Sequence, residues 1–262
     1  MSASTSTPAQ KLADTLRAVR RERVAVVAFL TAGFPRKDTF ARDLAELAAE
    51  ADVVEIGVPF TDPMADGVTI QRSSYEALKQ GVTLHWIIDT LRGLPKMKAQ
   101  LVFMGYFNPM LAYGLPKLAA DAAAVGISGF IVPDLPIEES GAFEQALGAQ
   151  GLALIRMVTP VTPPARLEQL CASAQGFVYA VSMTGTTGRS VGTGGVSKEV
   201  LDYLDKVRRL SSVPVCAGFG IREASQVAAL APHVDGVVVG SAIIEAMEKG
   251  ESTAALLRKL RG

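Results

Sequence analysis

Short apolar runs alternate with amphipathic stretches along nearly the whole chain. Eight runs read as strands: 24–30, 52–56, 100–105, 129–132, 153–157, 176–180, 213–217 and 236–239. Each is almost continuously apolar, as parallel strands buried on both faces require. Between them apolar residues recur at helical spacing. Phe40, Leu44, Leu47 and Ala48 form one stripe, and Val200, Leu204, Val207 and Leu210 form another. Thr162-Pro163 predicts an N-cap followed by proline at the first helical position. Pro136 with Glu138 and Glu139 predicts another helix start, with acidic residues favoured by the dipole. Residues 10–21 predict an amphipathic helix through Leu12, Leu16 and Val19, placed to plug the bottom of a barrel. After the second strand there is room for two helices, over 70–80 and 85–94.

Eight strands alternating with helices predict an α/β fold, a (β/α)8 TIM barrel with an extra N-terminal helix. An open doubly wound sheet is the alternative. No linker with a shift in composition interrupts the pattern, so residues 1–262 read as one barrel domain, with 1–8 a flexible tail.

Composition narrows the possible partners. Of 262 residues, 49% are hydrophobic, and 26 Lys+Arg balance 26 Asp+Glu. Zero net charge argues against a nucleic-acid partner, which needs a basic footprint. Two distant cysteines, Cys171 and Cys216, make no disulfide framework, so a reduced, cytoplasmic setting is expected. No apolar run is long enough to span a bilayer, and the Ser/Thr-rich start lacks the blocks of a secretory signal. His85 and His233 are scattered and make no metal cluster with the cysteines. Neither a Walker loop nor a Gly-x-Ser-x-Gly elbow is present, and no metal or cofactor is expected. Lysine is absent from the strand ends, which disfavours a Schiff-base aldolase.

In such a barrel, chemistry gathers in the loops after the strands. The second of these is the richest: Glu55-Ile56-Gly57-Val58-Pro59-Phe60-Thr61-Asp62-Pro63-Met64-Ala65-Asp66-Gly67. Glu55 shares a strand face with Val53, so in a closed barrel it projects into the mouth among apolar neighbours. Its pKa is then expected to rise toward the range useful for proton transfer. The turn formers Asp62-Pro63 and Asp66-Gly67 let the loop fold back and bring a second carboxylate over the mouth. The plainer alternative is a strand-end Glu with two Asp residues capping turns.

The other loops supply binding groups. Loop one carries Phe29. Loop three, Gly105-Tyr106-Phe107-Asn108-Pro109, offers Tyr106 and Asn108 to hold a carboxylate or substrate, or simply a turn. Asp134 in loop four either orients a polar side chain or caps a helix before Pro136. Loop six, residues 182–195, is long and Gly-rich. It reads as a lid, or else a disordered connector, and its backbone N–H groups, Thr hydroxyls and Arg189 favour an anionic ligand. Gly218-Phe219-Gly220 after strand seven and Gly240-Ser241 after strand eight form the expected phosphate site, where glycine admits close approach of backbone N–H groups.

These motifs, in this order, resemble the tryptophan synthase α-chain family. The loop-two motif with Thr69-Ile70-Gln71 carries the resemblance. So do Gly105–Pro109, Val132-Pro133-Asp134-Leu135-Pro136, Thr184-Gly185-Thr186-Thr187-Gly188, Gly218–Ile221 and Gly240-Ser241. Val68 stands where the family usually has proline. The resemblance implies a lyase that cleaves indole-3-glycerol phosphate to indole and glyceraldehyde 3-phosphate without a cofactor. It implies Glu55 as acid/base catalyst and Asp66 as the carboxylate at the indole N–H. Phe29, Tyr106, Tyr179 and Phe219 then line the indole pocket, and Gly188, Gly218, Gly220, Gly240 and Ser241 hold the phosphate. Thr187 meets Asp66 when the lid closes, with Arg189 beside it, and Asp134 sits near the rim. The expected partner is a pyridoxal-phosphate β chain in an α2β2 tetramer, contacted around loop two and Asn108-Pro109. The alternatives are a stand-alone indole-releasing lyase, a silent barrel that only regulates a β chain, and a phosphosugar isomerase, which leaves the aromatic pocket unexplained.

Overall fold

Eight parallel strands close into a barrel in chain order, and the β1–β8 ladder completes the ring. The computed structural model describes residues 6–181, 196–218 and 220–261. The strands are β1 (Ala25–Thr31), β2 (Val53–Gly57), β3 (Gln100–Met104), β4 (Ile127–Ile131), β5 (Ala153–Val158), β6 (Val178–Val181), β7 (Val215–Gly218) and β8 (Gly236–Val239). The helices are α1 (Pro8–Arg20), α2 (Phe40–Glu50), α3 (Val68–Lys79), α4 (Leu84–Arg92), α5 (Phe107–Tyr113), α6 (Leu115–Ala124), α7 (Gly141–Gly148), α8 (Pro164–Ala172), α9 (Lys198–Leu210), α10 (Ala224–Leu230), α11 (Ser241–Glu248) and α12 (Thr253–Arg261). The predicted barrel with its N-terminal helix is the fold. The closing ladder excludes the open sheet.

Strand alternation divides the core in two. Val27, Val53, Val102, Ile131, Ile155, Phe177, Cys216 and Val238 fill the barrel interior, and Leu12 and Leu16 of α1 close its lower end. The second layer lies between the strands and the outer helices. All four residues of the Phe40–Ala48 stripe are buried there, with Leu204 and Val207 of the second stripe. Burial of each large aliphatic side chain contributes roughly 1.5–3 kcal/mol.

Three local expectations change. Thr162 does not cap α8, which begins at Pro164. Its hydroxyl instead accepts from the Thr159 amide at 2.9 Å and closes the preceding turn. Pro136 opens a single 3-10 turn, Ile137–Glu139, ahead of α7. Thr7 and Pro8 are not part of a tail. Thr7 and Gln10 form a reciprocal capping box, and the Ala9 amide donates to the Gly151 carbonyl at 3.0 Å. After β3 the chain also makes two helices where a turn at Asn108-Pro109 is one sequence reading. Pro109 lies in the first turn of α5, where its missing N–H breaks no helical bond.

One helix placement bears directly on the mouth. The Thr31 and Ser73 hydroxyls meet at 2.6 Å and fasten α3 to β1. Arg72 forks onto Glu248 at 2.7 and 2.8 Å, tying α3 to α11. The segment after loop two is thus fixed to the helix that follows β8.

Candidate active site

β2 carries Glu55 level with Phe29 of β1 and Val102 of β3. Alternation sends its carboxyl into the barrel with Val53, and it is 0% exposed. Neither carboxylate oxygen has a hydrogen-bond partner among the described residues. An ionised carboxylate is costly in such a place, so burial raises the pKa of Glu55 to about 8. At neutral pH the residue holds a proton it can donate.

Loop two folds back as its turn residues require. The Met64 amide donates to the Asp62 carbonyl at 2.9 Å, and the Asp66 amide to the Pro63 carbonyl at 3.0 Å. From the end of β3, the Tyr106 phenol oxygen accepts from the Ala65 amide at 2.8 Å. From α3, the Gln71 side chain donates to the Asp66 carbonyl at 2.8 Å. Burial raises the Asp66 pKa to about 6, with hydrogen bonding to Tyr106 pulling the other way. Asp62 stays exposed at the rim.

Tyr179 of β6 senses both carboxyls. Desolvation lifts its phenol well above the ordinary value, and charge on Glu55 and on Asp66 lifts it further. Loop two thus brings Asp66 to the mouth that Glu55 enters from below. Between pH 6 and 8 one group is mainly ionised and the other mainly protonated, which separates base from acid.

Aromatic walls surround the pair. A Cβ at Gly57 would fall 2.4 Å from Phe29 Cζ, so only glycine leaves room for that ring. Phe60 stacks on Tyr106 with centroids 5.1 Å apart. Met104 and Met157 pack against the inner core nearby. The sequence reading missed both methionines, although each lies two residues beyond an inward-facing Val102 or Ile155.

Gly218 ends β7, and Gly220 adopts φ +61°, where a side chain is disfavoured. Gly240 is the N-cap of α11, and Ser241 is its first residue. The nearest atoms to a Cβ at Gly240 would be those of Phe29, at ordinary contact distances of 3.6–3.9 Å. The described protein therefore leaves space against that backbone. Thr187, Gly188, Arg189 and Phe219 lie outside the described residues.

Asp134 takes neither of its expected roles. Its carboxylate accepts from the Phe107 amide at 2.9 Å and so caps α5, across from its own loop. Asn108 faces outward and is exposed. Gln71, which the sequence reading gave no role, holds the Asp66 peptide; a polar side chain in the first turn after loop two was the available signal. Among the described residues no group of three or more His, Cys, Asp or Glu side chains could hold a metal ion.

Fold and site together define a (β/α)8-barrel enzyme with two carboxyls of raised pKa at its mouth. Residues 16–261 match the family described as Tryptophan synthase alpha chain, and the chain belongs to that family. It is 45% identical over 249 residues to the tryptophan synthase alpha chain of Solidesulfovibrio magneticus, covering 94% of this chain and 96% of that one. A Roseiflexus relative is 42% identical over 265 residues, covering 96% and 99%. Among solved structures, a chain of Mycobacterium tuberculosis tryptophan synthase superposes with a TM-score of 0.87 at 32% identity, covering 98% and 97%. The alpha subunit from Legionella pneumophila gives 0.85 at 29% identity, covering 97% of each chain. The chain is accordingly a carbon–carbon lyase of tryptophan biosynthesis.

Proposed function

We propose that the chain cleaves indole-3-glycerol phosphate to indole and glyceraldehyde 3-phosphate, with Glu55 and Asp66 as its catalytic pair. The observation that carries the role assignment is Glu55, a fully buried carboxyl without a partner among the described residues, facing a mouth that also holds a more acidic one.

Cleavage needs a proton added at C3 of the indole ring, so that the ring can later accept the electrons of the breaking bond. Glu55 supplies that proton. Asp66 accepts the indole N–H and balances the positive charge that develops on nitrogen. Glu55, now ionised, takes the proton of the hydroxyl on the adjoining side-chain carbon. The carbon–carbon bond breaks, the hydroxyl carbon becomes the aldehyde, and the bonding electrons return to the ring. One proton enters and one leaves, so Glu55 ends as it began. Positioned proton transfer of this kind contributes ~10²–10⁴-fold.

Phe29, Tyr106 and Tyr179, with Phe219, form the walls for indole. Gly218, Gly220, Gly240 and Ser241, with Gly188, receive the phosphate, aided by the backbone N–H groups of Ser241 and Ala242 at the start of α11. Thr187 meets Asp66 on closure of loop six. The partner is a tryptophan synthase β chain in an α2β2 tetramer, in the cytoplasm. The apolar residues Met64, Val68 and Leu111, which are 79%, 76% and 53% exposed, offer it a surface beside Asn108.

The test is indole release from indole-3-glycerol phosphate by the purified chain, alone and with a β chain added. Weak activity that rises sharply with the β chain is expected. High activity indifferent to it moves the assignment to a stand-alone lyase, and no activity in either case leaves a regulatory barrel.

A further inference from the structure

We infer that the Tyr106 hydroxyl is the positioning group for Asp66: it grips loop two through the Ala65 amide and turns its own proton toward the carboxylate. This rests on the proposed role of Asp66 at the indole N–H and adds to Tyr106 a function besides that of pocket wall.

The ring is held firmly. Tyr106 is 3% exposed and is the N-cap residue of α5. Its neighbour's amide is fixed by Asp134, and its face is stacked on Phe60. A phenol has one proton and two lone pairs. The Ala65 amide occupies a lone pair at 2.8 Å, so the proton remains for the carboxylate next along the chain. Burial and the charge on Asp66 both raise the phenol pKa, so Tyr106 stays a donor wherever Asp66 is ionised.

The rest of the loop explains why such a contact matters. Pro63 and Gln71 hold the Asp66 backbone but not its carboxylate. Val68 at the start of α3 is 76% exposed, and unlike proline it does not fix φ. Side-chain contacts therefore set the geometry here. Tyr106 also favours the charged form of Asp66, against burial. Among the described residues the other titratable groups of the mouth are Glu55 on β2 and Tyr179 on β6, with Asp134 acting on Tyr106 itself.

Tyr106→Phe keeps the ring and removes only the hydroxyl. Relative to wild type, kcat should fall about 10–100-fold, the range for losing a hydrogen bond to a charged group, while KM changes much less. The Asp66 carboxyl, followed by NMR titration, should move above its wild-type value, and the acidic limb of the pH–rate profile should move up with it. Amide exchange at Ala65 should accelerate. Asp66→Asn is measured alongside. If Asp66→Asn cleaves like wild type, the role of Asp66 falls and this inference with it. If Asp66→Asn is inactive while Tyr106→Phe keeps wild-type kcat, Asp66 titration and Ala65 exchange, the inference alone is overturned.

Discussion

Tyr179 lies against the bare backbone of Gly218: a Cβ built there falls 2.6 Å from the phenol oxygen and 2.7 Å from Cε1. Two neighbouring strands thus use a missing side chain on β7 to set the height of an aromatic on β6. Gly218→Ala must displace the Tyr179 ring. Overpacking of this kind costs ~1–3 kcal/mol of stability. In the proposed site Tyr179 walls the indole and Gly218 receives the phosphate, so both cleavage rate and substrate affinity should drop. Denaturant unfolding and steady-state kinetics of the variant check this; wild-type values in both would show that the ring has free room elsewhere.

The two carboxyls predict a bell-shaped pH dependence of kcat/KM. Asp66 must be ionised, so activity falls as pH drops through about 6. Glu55 must bring a proton, so activity falls as pH rises through about 8. Glu55→Gln should abolish turnover while leaving substrate-analogue binding largely intact. A rate that keeps climbing past pH 9 would contradict Glu55 as the acid.

Glu55 also ties stability to pH. Its folded pKa, about 8, lies above the ordinary 4.5. Between those values the folded state holds a proton that the unfolded state has released, so stability declines as pH rises across the window. The slope from one such group is at most roughly 1.4 kcal/mol per pH unit. Glu55→Gln removes that slope. Asp66 contributes equally to both proteins and cancels. The variant should gain on wild type steadily from pH 5 to pH 8 in urea unfolding; a constant difference would mean that Glu55 is charged in the folded state.

The barrel was legible because the strands are largely buried on both faces, so their runs are almost continuously apolar. Glu55 was legible for the same reason, as the one carboxyl breaking such a run at its inward phase. The role of Asp134 was not, because its partner, the Phe107 amide, is 27 residues away. Local sequence offered only the nearer cap before Pro136. Thr162 was misplaced by a similar competition, since a hydroxyl that can cap a helix can also close the turn before it. The contact of Tyr106 with loop two depends on how the end of β3 flanks it, which no spacing along the chain encodes.

Arg156 shows the same limit inside a strand and yields the last prediction. It sits within the apolar run of β5, on the opposite face from Ile155 and Met157, and is only 5% exposed. Its guanidinium pairs with Glu144 of α7, and both reach Ser140. The Glu144 pKa is held low, first by the Ser140 hydroxyl and then by Arg156 against burial. Removing the acid alone leaves a buried cation without its counter-charge, whereas removing the cation leaves a half-exposed acid that water can serve. Glu144→Ala should therefore destabilise the fold by about 1–3 kcal/mol, less than for a fully buried pair because Glu144 is 43% exposed. Arg156→Met, which fills the same outward space with an apolar chain, should stay within about 1 kcal/mol of wild type. A depressed acid stabilises above its unfolded pKa, so the deficit of Glu144→Ala should be full at pH 7 and shrink as pH falls below the ordinary glutamate range. Neither change should alter cleavage, because Arg156 points away from the mouth. Urea unfolding at pH 7 and pH 4 with a parallel activity assay separates these outcomes, and a larger loss in Arg156→Met than in Glu144→Ala would reverse the assignment of which partner needs the other.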